Sequence, residues 1–295
     1  MSTQRFMAIF VAAAVSALVC SASAQAQNFL SAVATTGNDT NDCTRPTPCR
    51  TFTRALAVTV AGGEIIVLDS GNYSAATIAQ PVTIAATGVR ASVFRGTAHP
   101  GFVINTTGSV AIKGISFNGL GIGTDGIHVT AVGALYLDNV EVQGFTGNGV
   151  NFGATGGQLV ITNSVFRDCG SDGLLVTAGS IDVRGSAFIN NSSAGLLVGS
   201  ASAVAVDSVA SHNGADGFAT RLGGTLRLVR DEAVFNDIGF FASPSSTLTF
   251  EYSLASDNST DAFINNGTMS GSSPGTSLLG GGTGGTTLST ADTLQ

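Results

Sequence analysis

The sequence predicts an all-β fold: a three-stranded parallel β-helix solenoid of about nine coils with a short N-terminal capping helix. Three observations carry this reading. A glycine precedes an apolar stretch at Gly101, Gly126, Gly149, Gly173, Gly195, Gly217 and Gly239, with Ala262 in its place in the last copy, at intervals of 25, 23, 24, 22, 22, 22 and 23 residues. A fixed period of this size marks a repeat in which each copy is one coil that cannot bury its apolar face alone. Within the copies an alternating stretch recurs, as Leu135-Tyr136-Leu137-Asp138, Leu159-Val160-Ile161-Thr162, Ile181-Asp182-Val183-Arg184, Val204-Ala205-Val206-Asp207, Leu226-Arg227-Leu228-Val229 and Leu248-Thr249-Phe250-Glu251. A period of two sends the first and third residues inward and the second and fourth outward. Finally, helix-capping boxes and 3.6-residue apolar stripes are missing from the repeats, while Val, Ile, Phe, Thr and the turn pairs Asp-Gly and Asn-Gly abound.

The elements follow in order. Residues 1–26 read as a cleaved secretory leader, with Arg5, the apolar run Phe6–Val19 and a small-residue site at Ala24-Gln25-Ala26. This predicts a secreted or periplasmic protein. A lipid anchor at Cys20 is set aside because Val19 stands where a small residue is needed. Residues 27–63 form an N-terminal cap. Within it Cys43 and Cys49 flank a loop stiffened by two prolines, and in an oxidising compartment they join as a local disulfide. No histidine lies near enough in sequence to complete a metal set there. Thr51–Val60 reads as a short helix with Phe52, Ala55 and Leu56 on one side, covering the otherwise open first coil. The strand Glu64–Leu68 opens the β-helix proper, residues 64–265, whose first coils around Ile78–Ala85 and Val89–Phe94 are less regular. Residues 266–295 are a Gly/Ser/Thr-rich tail expected to be flexible, with Leu278 and Leu279 placed to cover the last coil.

Composition narrows the function. Without the leader, 11 basic residues face 19 acidic ones, because Arg5 is removed from the 12 Lys and Arg of the full chain. Lys113 is the only lysine, and the absence of a basic cluster argues against nucleic-acid binding. No later apolar run reaches the length of a transmembrane span.

The strand starts D-G-I-H-V, N-G-V-N-F, D-G-L-L-V, A-G-L-L-V and D-G-F-A-T, each followed by an alternating strand and an Asn-bearing turn, resemble those of the right-handed parallel β-helix, or pectin-lyase-like, superfamily. The opening D-C-T-R-P-T-P-C-R-T-F-T-R-A-L and G-G-E-I-I-V-L-D-S-G-N-Y are similar to the N-terminal caps of its exported bacterial members. The resemblance covers roughly residues 37–265. It implies a protein facing polysaccharide, since lyases, hydrolases and epimerases of acidic glycans dominate the characterised superfamily. Departures are clear: no G-H-G or R-I-K occurs, tryptophan is absent, and Arg45–Arg50 only superficially matches a lyase R-x-P-x-x-R.

Stacked coils turn equivalent residues into columns spaced about 4.8 Å apart. One outward column is read as Lys113, Asp138, Thr162, Arg184, Asp207, Val229 and Glu251. Here Arg184, flanked by Asp182 and Asp207, has the residue types of a base with charge-stabilising partners, although opposite charges on neighbouring strands also simply stabilise a sheet. Lys113, Tyr136 and Asp138 are the candidate ligand contacts on this side. A second column, Asp125, Asn148, Asp172, Ala194, Asp216, Ile238 and Asp261, serves turn chemistry, and Asp168 with Asp172 and Asn148 is the set that could take Ca²⁺. No cofactor is required by the fold. A third column, Leu120, Phe145, Cys169, Asn191, Asn213, Asn236 and Asn258, reads as an inward ladder that makes Cys169 a buried apolar residue. His212, beside the Asp168–Asn190 turns, is a candidate general base, and His128 lies in an outward slot.

The expected function is binding of a polysaccharide or another cell-surface partner without catalysis, by a monomer. The alternatives are a lyase or related enzyme acting on acidic glycans through Arg184, Asp182, Asp207 and His212, and a structural or adhesive solenoid.

Overall fold

The computed structural model describes residues 27–272 and three short strands at 277–278, 282–283 and 289–290; the leader and Leu279 lie outside the described residues. Each coil gives one strand to each of three parallel sheets, named A, B and C in the order the chain visits them. Among the described residues these sheets hold 12, 10 and 10 strands. Leu137, Ile161, Val183, Ala205, Leu228 and Phe250 share one register position of sheet A and are each at most 2% exposed. The predicted row of aliphatic side chains on a shared axis is therefore present.

One coil is shifted from the sequence reading. Ala203 and Ala205 point inward, so Val204 and Val206 face out. Val206 then takes the outward position beside Arg184 and Val229, and Asp207 leaves that column for the turn beyond. The run S-A-S-A-V-A-V-D alternates in either register, and a one-residue slip exchanges the two faces. The core tolerates alanine here because the neighbours compensate. Along sheet B the inward position runs Phe166, Phe188, Ala210, Ala233, Ala255, while along sheet C it changes from Leu174 and Leu196 to Phe218 and Phe240. Aromatic bulk thus crosses the axis at the alanine coil, where the rings of Phe188 and Phe218 meet edge to face at 6.4 Å. Near-crystalline packing density makes such compensation necessary.

The repeated glycine has a steric cause. A Cβ on Gly173 would lie 2.7 Å from the Gly195 carbonyl oxygen, and one on Gly149 2.4 Å from that of Gly173. Only glycine lets these coils approach so closely.

The turns form two columns of left-handed backbone. Between sheets A and B they hold Asn139, Asn163, Gly185, Asp207, Arg230 and Tyr252, and between B and C they hold Gly144, Asp168, Asn190, His212, Phe235 and Asp257. Just inside the second column, Asn191, Asn213, Asn236 and Asn258 form the expected ladder, with amide-to-amide bonds of 2.9–3.2 Å. Phe145 and Cys169 continue it as buried residues, and burial pushes the Cys169 thiol up to about 12. Leu120 does not: it is 53% exposed on an enlarged turn, because the 25-residue interval there adds residues to the corner. A parallel serine ladder runs Ser164, Ser186, Ser208, Asp231, Ser253 inside the first column, each accepting a backbone N–H from the coil before.

The cap comprises β1 (Asn28–Val33), α1 (Phe52–Val58) and β2 (Thr59–Val67). Thr51 caps α1 by accepting the Arg54 N–H, and Phe52 packs its ring against Tyr73 and Phe102. The Cys43–Cys49 disulfide is formed. At the other end, sheet A runs on past Asn265: Thr268–Ser272 pairs with Thr247–Glu251 and buries Met269. No described helix is long and apolar enough to cross a membrane.

Candidate functional site

On the outer face of sheet A, Arg184 donates to Asp182 at 2.8 Å, as its position two residues away on the same face allows. Asp207 is held instead by Arg230 through two bonds of 2.7 and 2.9 Å, and Arg227 grips Glu251. His212 is not on this face: the sheet B strand Val209–Ser211 separates it from Asp207, and its ring stacks on Phe235. Tyr136 is exposed in the outward row; beside it Asp138 pairs in register with Lys113 and accepts the Thr162 hydroxyl at 2.8 Å.

The carboxylates read as a cation set are divided in the same way. Asp168 sits on the turn column, bound by Arg167 and by Asn190. Asp172 accepts the Ala194 N–H while its own N–H goes to the Asn148 side chain. Among the described residues no three His, Cys, Asp or Glu side chains converge as a metal-holding group.

Sheet C presents a different surface. Its outward row is His128, Asn151, Leu175, Leu197, Ala219 and Phe241 in continuous register, with Ala219 covered from solvent and the other five partly exposed. Asp125, in the turn before, accepts His128 Nδ1–H at 2.9 Å. It also accepts from the Asn151 side chain and from the Asn148 backbone and side chain. A carboxylate saturated with donors can only accept from Nδ1–H, and in the neutral ring this makes Nε2 the acceptor. Further along, Asp216 is only 1% exposed yet pairs with Arg221 at 3.0 Å, and the Arg221 guanidinium lies 5.3 Å from the Phe241 ring centre. Burial pushes the Asp216 carboxyl upward, and Arg221 opposes it.

At the corner between sheets B and C, the last turns open a shallow groove of about 550 Å³ lined by Asn213, Gly214, Phe235, Asn236, Asp237, Asp257 and Ser259. Sequence reasoning placed Asp125 and His128 in separate columns and missed Arg221, Phe235, Asp237, Phe241 and Asp257. The shared spacing of D-G-I-H and N-G-V-N, three residues from turn carboxylate or amide to outward side chain, was the available signal.

This architecture is that of a parallel β-helix whose outer faces run in register from coil to coil. The chain belongs to the family described as the right-handed beta helix region, which matches residues 58–210 and 157–275. No curated protein sequence matches it significantly. Among solved structures, pectate lyase Pel9A is similar with a TM-score of 0.69 at 18% identity, over 91% of this chain and 79% of that one. A rhamnogalacturonan lyase gives 0.56 at 13%, over 85% and 84%, and the A-module of the Azotobacter vinelandii mannuronan C-5 epimerase AlgE4 gives 0.54 at 13%, over 76% and 80%. At these identities the likeness is one of fold.

Proposed function

We propose that this is an exported, monomeric protein that binds an extended polysaccharide along the outer face of sheet C without transforming it. The supporting observation is the unbroken register of His128, Asn151, Leu175, Leu197, Ala219 and Phe241, which makes the face repeat coil by coil as a polymer repeats along its length. Asp125, Asp172 and Asp216 beside that row are buried and bonded within the protein, and the chain as a whole carries a formal charge of −7. Such a field disfavours a polyuronate and admits a neutral or cationic glycan. Titration calorimetry against a panel of neutral, acidic and amino polysaccharides tests the proposal. Binding that weakens about tenfold, roughly 1.4 kcal/mol, in His128→Ala and Phe241→Ala is the expected result. A folded protein that binds no polysaccharide in the panel overturns it.

The Asp125–His128 pair favours a second reading, a glycan-active enzyme with His128 Nε2 as general base. Release of reducing ends or unsaturated products by the wild type, abolished in His128→Ala, would establish it. No turnover leaves the binding reading in place.

A further inference from the structure

This chain builds one sandwich of ring, cation and carboxylate from its own residues. Arg221 lies over Phe241 and pairs with Asp216. Arg50 also lies 5.8 Å from a ring centre, that of Tyr73, whose hydroxyl donates to Asp69. Another exposed ring and two carboxylates, Phe235, Asp237 and Asp257, line one groove at the B–C corner. Phe235 is 54% exposed, one coil after His212, whose ring covers it at 5.0 Å, and one coil before Asp257. Coil spacing of about 4.8 Å sets the Asp257 turn beside the uncovered side of the Phe235 position. Asp237 adds a second carboxylate, oriented by the hydroxyls of Ser259 and Thr260. Among the described residues no Arg or Lys pairs with Asp237 or Asp257, whereas Asp168, Asp182, Asp207, Asp216 and Glu251 are each held by an arginine. The groove that these groups line has the volume for a sugar ring.

We propose that the Phe235–Asp257–Asp237 groove binds the protonated amine of an amino sugar, with the ammonium between the Phe235 ring and the two carboxylates. Attraction of a cation to a ring face adds to the ion pair when both act on one group. Sugar hydroxyls then meet the polar rim at Ser259. This deepens the glycan-binding reading, on which it rests, by naming the residue the polymer carries.

The test compares a glucosamine oligomer with the N-acetylated oligomer of the same length, by titration calorimetry on the wild type, Phe235→Asn, Asp257→Asn and His128→Ala. Asparagine is already the residue of this turn column at Asn190, so both corner variants retain a backbone-compatible side chain. The expected result is binding of the amine form at least tenfold tighter than the acetylated form. That preference falls below twofold in Phe235→Asn and in Asp257→Asn, while affinity for the acetylated oligomer is retained. Equal affinity for the two oligomers, with binding still weakened by His128→Ala, overturns the amine site and leaves the glycan reading standing. An amine preference that survives both corner variants also overturns the site. Failure to bind these oligomers or any other polysaccharide brings down the glycan reading with it.

Discussion

The outer faces of sheets A and C rest on the same coils and the same alternation of side chains, yet they dispose of charge in opposite ways. On sheet A and its corner, Asp182, Asp207 and Glu251 are matched by Arg184, Arg230 and Arg227. Opposite charges within a strand, between turns and on neighbouring strands satisfy each other there and leave little to offer a ligand. On sheet C, His128 is oriented by Asp125, Leu175 and Leu197 lie in the outward row, and among the described residues no Arg or Lys pairs with Asp257 at the corner. Residue type and pairing together separate these faces: charged and mutually paired on sheet A, mostly uncharged along the row of sheet C.

The sharpest break in the comparison removes the core beneath both faces. Phe188→Ala empties a fully buried position between Phe166 and Phe218 and is expected to cost about 3–5 kcal/mol, read by denaturant unfolding, with both faces lost together. Asp231 gives the next effect. It replaces serine in the ladder, and burial lifts its carboxyl to about 7 against the pull of the Ser208 and Val229 N–H groups. The folded protein therefore holds this proton more tightly than the unfolded chain. Its contribution is fully present below about pH 4 and is lost as pH rises to about 7, at up to about 1.4 kcal/mol per pH unit. Asp231→Ser is expected to flatten that slope in unfolding measured at pH 4.5, 6 and 7.5; an unchanged slope would remove Asp231 as its source.

Smaller effects separate the faces themselves. His128→Ala should weaken glycan binding about tenfold with an unchanged unfolding midpoint, because its side chain is partly exposed and its partner Asp125 keeps three other donors. Arg184→Gln should change neither glycan affinity nor midpoint, since it removes one solvent-exposed pair. Loss of binding in Arg184→Gln would return the functional face to sheet A.

Much of this fold was legible because it is written in two periods, the glycine interval and the alternation, and both survive without knowledge of contacts. The Asn191–Asn258 ladder was legible for the same reason, and the N-terminal disulfide from the short spacing of Cys43 and Cys49 around two prolines. The misread coil shows where local pattern fails. Hydrophobicity favoured Val204 and Val206 as core, while the 22-residue interval carries Ile181 and Val183 onto Ala203 and Ala205. The interval was the better guide, since stacking fixes register more strongly than any one side chain. Arg221 over Phe241, Arg230 on Asp207 and His212 against Phe235 join separate coils, so each depends on a register that one slip alters. Asp125 and His128 lie three residues apart across a turn corner, a spacing that a straight strand would place on opposite faces.

The disulfide loop has a consequence for how the molecule ends. Strand β1 would otherwise present an unpaired edge of the longest sheet, but the loop residues Cys43 and Cys49 exchange backbone bonds with Ala32 and Ala34 along it. An uncovered edge of this kind recruits strands from other molecules. By pairing with the end of β1, the disulfide-closed loop gives the stack a defined first layer there and opposes head-on growth into filaments from that side.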